Sequence, residues 1–165
     1  MGSTAFADCN WEGASSDWFD VSNWTPDYPE ESPGLPIRIR QAGNFDPVVD
    51  RTTTGGQRVD ISNNGHLTIN SGGNVQSNNW YFQGRDSSGT PGDSLLTINE
   101  GGKLTAGVDN PVAEARVGYH QPGMHVIQMN GGEFSVPNTL TLSVDPGSKG
   151  HIQLDGGMMS VGGLI

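Results

Sequence analysis

The sequence predicts an all-β fold in which short strands wind into the stacked coils of a β-solenoid. Glycine and proline account for 25 and 10 of the 165 residues, and these are the two poorest helix formers. A strand, a polar corner and a second strand recur at intervals of roughly 25 to 31 residues, a period typical of solenoid repeats. The N-terminal segment lacks this repeat and is rich in tryptophan.

The first strand of each repeat contains an apolar–polar–apolar triplet. The copies are LTINSGGNV (67–75), LTINEGGKL (96–104), IQMNGGEF (127–134) and IQLDGGMM (152–159). Alternate side chains of a strand point to opposite faces, and strands of successive coils lie about 4.8 Å apart. We therefore expect the second apolar residue of each copy to stack in one interior column. This column consists of Ile69, Ile98, Met129 and Leu154.

The residue after each triplet marks a corner of the coil. The corner residues are Asn70, Asn99, Asn130 and Asp155. Asn adopts left-handed backbone conformations and hydrogen-bonds to its neighbours, and the Gly-Gly pair that follows allows close approach between coils. We expect the four corner side chains to stack as a hydrogen-bonded ladder.

A second short strand follows each corner. These strands are WYFQG (80–84), ARVG (115–118), TLTLS (139–143) and VGGLI (161–165), with weaker copies of the repeat upstream in IRIRQAGNFDPVV and QRVDISNNG. The pattern predicts about four to five coils over residues 37–165. A β-sandwich and a β-propeller remain alternatives, although a propeller blade has four strands and a longer repeat.

Residues 1–36 are expected to cap the first coil. Three of the four tryptophans lie here, at Trp11, Trp18 and Trp24, and an uncapped solenoid end exposes both its core and its strand edges. The alternative is that these tryptophans form a sugar-stacking platform. The lone Cys9 excludes an intrachain disulfide.

The net charge of −10 makes nucleic acid and anionic membranes poor partners, because both attract basic surfaces. No apolar run approaches the roughly 18 residues that a membrane span needs. The strand pattern continues to the last residue, so we expect further domains of the same longer polypeptide to follow.

The sequence resembles the parallel β-helix domains of large secreted bacterial surface or polysaccharide-degrading proteins. The resemblance rests on DWFDVSNWTP, the proline-rich lead into IRI, and then GHLTINSGG, LLTINEGG, IQMNGGEF and IQLDGG. It covers about residues 11–165 and is specific for a solenoid but weak for function. It implies a secreted or cell-surface location and places such domains beside glycan-degrading enzymes, on adhesins and in marine-type bacteria.

Catalytic and metal-binding residues are hard to find. The chain has one cysteine, in the expected cap, and its acidic residues are scattered. His66, His125 and His151 are interpreted as one repeated turn or surface position. No cofactor is expected, although calcium binding by acidic side chains remains an alternative. A polysaccharide lyase or hydrolase fragment is the least favoured function.

A binding face is expected on the second strand and the loop after it. Alignment of Gly84 with Gly118 turns Tyr81, Ala115 and Leu140 inward. The residues expected to contact an extracellular polysaccharide, such as a marine one, are Trp80, Phe82, Arg85, Arg116, Tyr119 and His120. Aromatic rings stack on sugar faces, and arginine forks hold sulfate or carboxylate.

Three alternatives stand beside this hypothesis of a non-catalytic carbohydrate-binding module. In the first alternative, a neighbouring loop covers Trp80 and Phe82. In the second, the solenoid is a structural or adhesive segment without a small ligand, and the third is ice binding. Ice binding needs a ladder of outward threonines, and Gln128 and Gln153 interrupt the ladder that Thr68 and Thr97 begin.

Overall fold

The computed structural model describes residues 8–41, 44–86 and 89–165, and it is a β-solenoid of about six turns. Within the described residues, helix is confined to one 3-10 turn at Val21–Asn23. The all-β solenoid is thereby confirmed, but the expected four to five coils are too few. The difference arises because the weak upstream copies form full turns, in which the strands Ile37–Ile39 and Gly56–Ile61 pair with each other in parallel.

Twelve strands lie in the described part of the chain. They are β1 (Cys9–Trp11), β2 (Trp24–Pro26), β3 (Ile37–Ile39), β4 (Val48–Val49), β5 (Gly56–Ile61), β6 (Gly65–Ile69), β7 (Asn74–Gln83), β8 (Ser94–Asn99), β9 (Lys103–Ala106), β10 (Ala115–Val117), β11 (Gly123–Leu142) and β12 (Ser148–Leu164).

Successive turns stack into three parallel walls. Wall A consists of β3, β5, the end of β7, β10 and the end of β11. Wall B consists of β4, β6, β8 and the first parts of β11 and β12. Wall C consists of the start of β7, β9 and the middle of β11 and β12. Each wall therefore presents equivalent side chains from neighbouring turns side by side.

The expected interior column forms in wall B. Ile69 pairs with Ile98, Ile98 with Met129, and Met129 with Leu154. The first three side chains are fully buried, whereas Leu154 is 55% exposed because it lies in the last turn. Burial of each such side chain contributes roughly 1.5 to 3 kcal/mol, so the stacked column is a main source of stability.

The corner ladder has three members instead of four. The Asn99 Nδ2 donates to the Asn70 Oδ1 at 2.8 Å, and the Asn130 Nδ2 donates to the Asn99 Oδ1 at 2.9 Å. The register then shifts, so that Asn130 pairs with Gly156. Asp155 accepts from Gln153 within its own strand, at 2.6 Å. The expected place of Asp155 in the ladder is therefore wrong.

The second glycine of a corner pair is required by close packing. A Cβ on Gly132 would lie 2.3 Å from the Ile98 Cγ2, and one on Gly73 would lie 2.3 Å from the Val49 carbonyl oxygen. Both distances are far below van der Waals contact. A side chain at either position would force neighbouring turns apart.

The N-terminal tryptophans are interior residues. Trp24 makes edge-to-face contacts with Trp11 and Trp18, at ring-centroid distances of 5.1 and 4.7 Å. None of the three is more than 6% exposed, and all belong to the same apolar core as the solenoid. The indole Nε1 of Trp24 donates to the Trp18 carbonyl at 2.8 Å. Their rings offer no open face to a sugar, so the structure does not support the stacking platform at these positions.

Candidate functional site

The outward surface of wall A carries the residues that the sequence singled out. Tyr81, Ala115 and Leu140 are in register and fully buried, which confirms the expected inward positions. The alternation of the strands then directs Trp80, Phe82 and Arg116 to the outside. Phe82 lies directly beside Arg116 on the next strand.

Turns after the strands add the remaining members. Gly84 and Gly118 have φ of 73° and 80°, and His120 also has a positive φ of 68°. Left-handed backbone favours glycine at the first two positions. The two loops meet where Arg85 and His120 form an isolated antiparallel bridge. Residues distant in sequence are thus brought to one surface by adjacent turns.

Four rings form a continuous aromatic row across these turns. The Trp80 and Phe82 centroids are 5.8 Å apart, and Phe82 stacks on Tyr119 at 5.3 Å with 27° between the ring planes. Tyr119 in turn contacts the His120 ring at 3.7 Å. Such pairs contribute about 0.5 to 1.5 kcal/mol beyond their burial. The row therefore fixes the orientation of its outer member, Trp80.

Exposure separates the roles of the two strand aromatics. Trp80 is 43% exposed, whereas Phe82 is only 5% exposed. The alternative that the surface aromatics are covered therefore applies to Phe82, which Tyr119 covers. It does not apply to Trp80, whose ring remains open to a ligand.

Two arginines border the aromatic row. The Arg85 guanidinium lies 5.2 Å from the Phe82 ring centre, and that of Arg116 lies 4.9 Å from the Tyr119 ring centre. Arg116 donates from Nη2 to the Glu114 Oε2 at 2.8 Å. Each guanidinium has five N–H donors, so these contacts orient the arginines and leave donors for a ligand.

These side chains surround a groove of about 320 Å³, and we call it the aromatic groove. Its lining residues are Trp80, Phe82, Arg85, Asn110, Val112, Glu114, Arg116 and Tyr119. The volume is at the lower end of the range for small-ligand sites, about 300 to 1,000 Å³. Of the sequence-predicted residues, His120 alone does not line it. His120 lines a neighbouring cavity of about 270 Å³ instead.

Sequence reasoning missed the acid–arginine cluster beside the groove. The Asp60 carboxylate is buried, and its Oδ2 lies 2.9 Å from the Arg58 Nε and 3.2 Å from the Arg85 Nη1. Arg38 is in register with Asp60, and Asp60 with Phe82. The sequence feature that could have revealed this cluster is the alternation of charged and apolar residues in IRIR and RVDI. Both segments form strands of wall A and place Arg38, Arg58 and Asp60 on it.

His125 does not occupy the repeated surface position. His66 aligns with Leu95 and, through Val126, with His151, whereas His125 aligns with Ser94. The His125 side chain is fully buried, so its expected equivalence to His66 and His151 is wrong.

The polar contacts of His125 are structural. Its Nε2 donates to the Gln121 carbonyl at 2.9 Å, which leaves Nδ1 to accept from the Ser94 hydroxyl at 2.9 Å. Burial lowers the pKa of His125, so the imidazole is neutral. Ser94 is also buried, and a substrate has no access to this pair.

The described residues contain neither a metal-binding cluster nor a membrane-spanning helix. Within residues 8–41, 44–86 and 89–165, no group of three His, Cys, Asp or Glu side chains is placed to hold a metal ion. In that same part of the chain, no helix is long and apolar enough to cross a membrane.

Comparison with protein-family models, with curated proteins and with solved structures gives no match for this chain. A functional conclusion therefore depends on the geometry of the aromatic groove.

Proposed function

We propose that this chain is a non-catalytic carbohydrate-binding module of a larger secreted bacterial protein, and that it recognises an extracellular polysaccharide such as a marine one. The observation that carries the proposal is the open indole of Trp80 at the mouth of a groove with convergent polar groups. An exposed aromatic ring binds the apolar face of a sugar. Asn110, Glu114 and Arg116 supply donors and acceptors for its hydroxyl groups.

The groove is organised before any ligand arrives. Trp80 rests on Phe82, and Phe82 on Tyr119. Glu114 holds Arg116 through two hydrogen bonds, at 2.8 and 3.1 Å. Binding to such a surface orders few side chains, and this preserves affinity. Val112 is 67% exposed and extends the apolar part of the surface.

The same proposal assigns a role to the N-terminal segment. β1 pairs with β2 in antiparallel and with β3 in parallel orientation. This arrangement and the buried tryptophans support a cap that covers the first turn of the solenoid and protects its strand edge. The aromatic groove lies on later turns than this cap.

Affinity electrophoresis on gels containing neutral, carboxylated or sulfated polysaccharides tests the proposed function. We expect at least one polysaccharide to retard the protein, and Trp80→Ala to abolish the retardation. The matched control is Phe45→Ala, because Phe45 is another exposed aromatic residue, at 49%, and lies outside the groove. Equal retardation of the wild type and Trp80→Ala would refute the assigned site.

The second candidate is a structural or adhesive segment. The Asn ladder and the uninterrupted parallel walls favour it, since both suit a stiff spacer. Lack of retardation on every gel would select this function. Release of reducing ends or unsaturated products from any polysaccharide would instead revive the lyase or hydrolase alternative.

A further inference from the structure

Arginine is concentrated on wall A of an otherwise acidic protein. The chain has 18 acidic and only 8 basic residues. The arginines that lie on this wall or line the cavities beside it are Arg38, Arg40, Arg58, Arg85 and Arg116. Solubility does not require this clustering, because scattered charges serve that purpose equally well.

Three of these arginines converge on the cavity beside the aromatic groove. The cavity measures about 270 Å³ and is lined by Arg38, Arg40, Arg85, Asp86 and His120. Arg85 also lines the aromatic groove, so its side chain borders both the groove and the cavity. The Nδ1 of His120 lies 2.9 Å from the Asp145 Oδ2, and this contact holds the ring.

Two arginines that line this cavity each have a donor without an acceptor. The Nε atoms of Arg38 and Arg40 are buried and have no hydrogen-bond partner among the described residues, and the neighbouring Asp60 Oδ1 is also buried and unpaired. The Asp60 Oδ2 is 4.0 Å from the Arg38 Nε, too far for a hydrogen bond. Burial lowers the pKa of Arg38 despite the neighbouring Asp8 and Asp60. The Nε atoms are themselves closed to solvent, but the side chains of Arg38 and Arg85 are partly exposed. Because each guanidinium has five N–H donors, an anion in the cavity can accept from donors that the protein leaves free.

The charge of the cavity lining also favours an anion. Arg38 is paired with Asp8 at 2.9 Å, and Arg58 and Arg85 share Asp60. Asp86 lines the cavity and opposes an anion. Among the residues that line the cavity, three are arginines and one is a carboxylate. Over the wider cluster, which adds Arg58, Asp8, Asp60 and Asp145, the four arginines and four carboxylates balance.

We propose that this cavity is an oxyanion subsite, in which Arg38, Arg40, Arg85 and His120 bind a sulfate ester or carboxylate of the polysaccharide. The identity of the carrier rests on the proposed function. Arginine forks match the geometry of both oxyanions. β3 lies two strand spacings from β7, roughly 10 Å, so a glycan that runs along the solenoid axis contacts both the subsite and Trp80. The polysaccharide is therefore an acidic one.

The subsite can be tested without any glycan. The ¹⁵N-labelled protein is titrated with sodium sulfate and, separately, with sodium acetate, while sodium chloride keeps the ionic strength constant. We expect saturable shifts of the arginine Nε–Hε resonances of Arg38, Arg40 and Arg85 with at least one anion. The absence of saturable shifts with both anions would overturn the proposal.

Matched variants separate the subsite from general charge effects. Arg40→Gln is expected to weaken anion binding about tenfold or more, as for loss of a charged hydrogen bond. Asp86→Asn is expected to strengthen it several-fold by removing an opposing charge. Lys149→Gln removes one positive charge from an exposed residue on β12 and should change binding less than twofold. An equal loss in Arg40→Gln and Lys149→Gln would also overturn the proposal.

A gel series distinguishes this proposal from the proposed function. The gels contain dextran, carboxymethyl dextran or dextran sulfate, which share one backbone. Stronger retardation by one charged polymer, reduced in Arg40→Gln, supports the subsite and identifies the anion. Anion shifts at the arginines without retardation on any polysaccharide gel would refute carbohydrate binding alone. Retardation that depends on Trp80 but not on Arg40, together with no anion shifts, would refute the subsite alone.

Discussion

Replacement of Phe82 by alanine tests whether the aromatic row supports the groove. Phe82 is 5% exposed and lies between Trp80 and Tyr119. Its removal leaves Trp80 without the ring on which it rests. We expect the variant to lose both stability and polysaccharide binding, whereas Trp80→Ala should lose binding with a smaller effect on stability, because Trp80 is 43% exposed.

The magnitude follows from the contacts of the ring. Two aromatic pairs contribute about 0.5 to 1.5 kcal/mol each, and the Arg85 cation–π contact about 0.5 to 1 kcal/mol. Buried Phe→Ala changes cost roughly 3 to 5 kcal/mol in total. Phe82 lies outside the solenoid interior, and on this outer surface its neighbours can close the gap that the ring leaves. We therefore expect a loss at the lower end of this range, about 3 kcal/mol.

Urea unfolding followed by tryptophan fluorescence measures this loss. Phe45→Ala is the control, and its free energy of unfolding should stay within about 0.5 kcal/mol of the wild type, as for most exposed positions. A double-mutant cycle between Phe82 and Tyr119 should give a coupling of about 0.5 to 1.5 kcal/mol. A Phe82→Ala protein as stable as the control would refute the reasoning, since the row would then carry no packing energy.

The remaining predictions concern the ladder, the corners, a buried histidine and the thiol. Asn99→Ala removes both ladder hydrogen bonds and should lower the free energy of unfolding by about 1 to 2 kcal/mol. Asn70→Ala, which removes only the ladder bond to Asn99, should cost about half as much in the same urea assay. Gly132→Ala places a Cβ 2.3 Å from the Ile98 side chain, so we expect a thermal midpoint clearly below that of the wild type by circular dichroism. Burial lowers the pKa of His125, so protons bind preferentially to the unfolded chain below about pH 6.5. The free energy of unfolding, measured with urea at about pH 7.5 and about pH 5.5, should therefore be lower at the lower pH, and the decrease should be smaller in His125→Gln. Burial and nearby Asp27 and Asp8 raise the pKa of the Cys9 thiol to about 11, so its reaction with a thiol reagent should be slow in the native protein and fast in urea; fast native labelling would contradict its burial.

The histidine error shows what a repeat pattern can and cannot provide. His66 stands one residue before Leu67, whereas His125 stands two residues before Ile127. A strand alternates with a period of two, and a displacement of one residue moves a side chain to the other face. The sequence therefore contained the correct answer, and the wrong prediction came from aligning residue types instead of strand positions.

The repeated sequence by itself determined the interior of this protein. Recurrent triplets and alternation predicted the column from Ile69 to Met129, the inward row at Tyr81, Ala115 and Leu140, and most of the Asn ladder. Such contacts join equivalent positions of adjacent turns. Their geometry follows from a period that can be read along the chain.

Only the tertiary structure decided which outer aromatic side chains are exposed and which basic side chains converge on one cavity. It placed Tyr119 over Phe82, left Trp80 exposed, and brought Arg38 and Arg40 of an early turn to Arg85 and His120 of later ones. These contacts join positions that are not equivalent in the repeat, through loops of unequal length. Their physical origin is the path of each loop and the packing of long side chains, and neither is encoded in a local pattern.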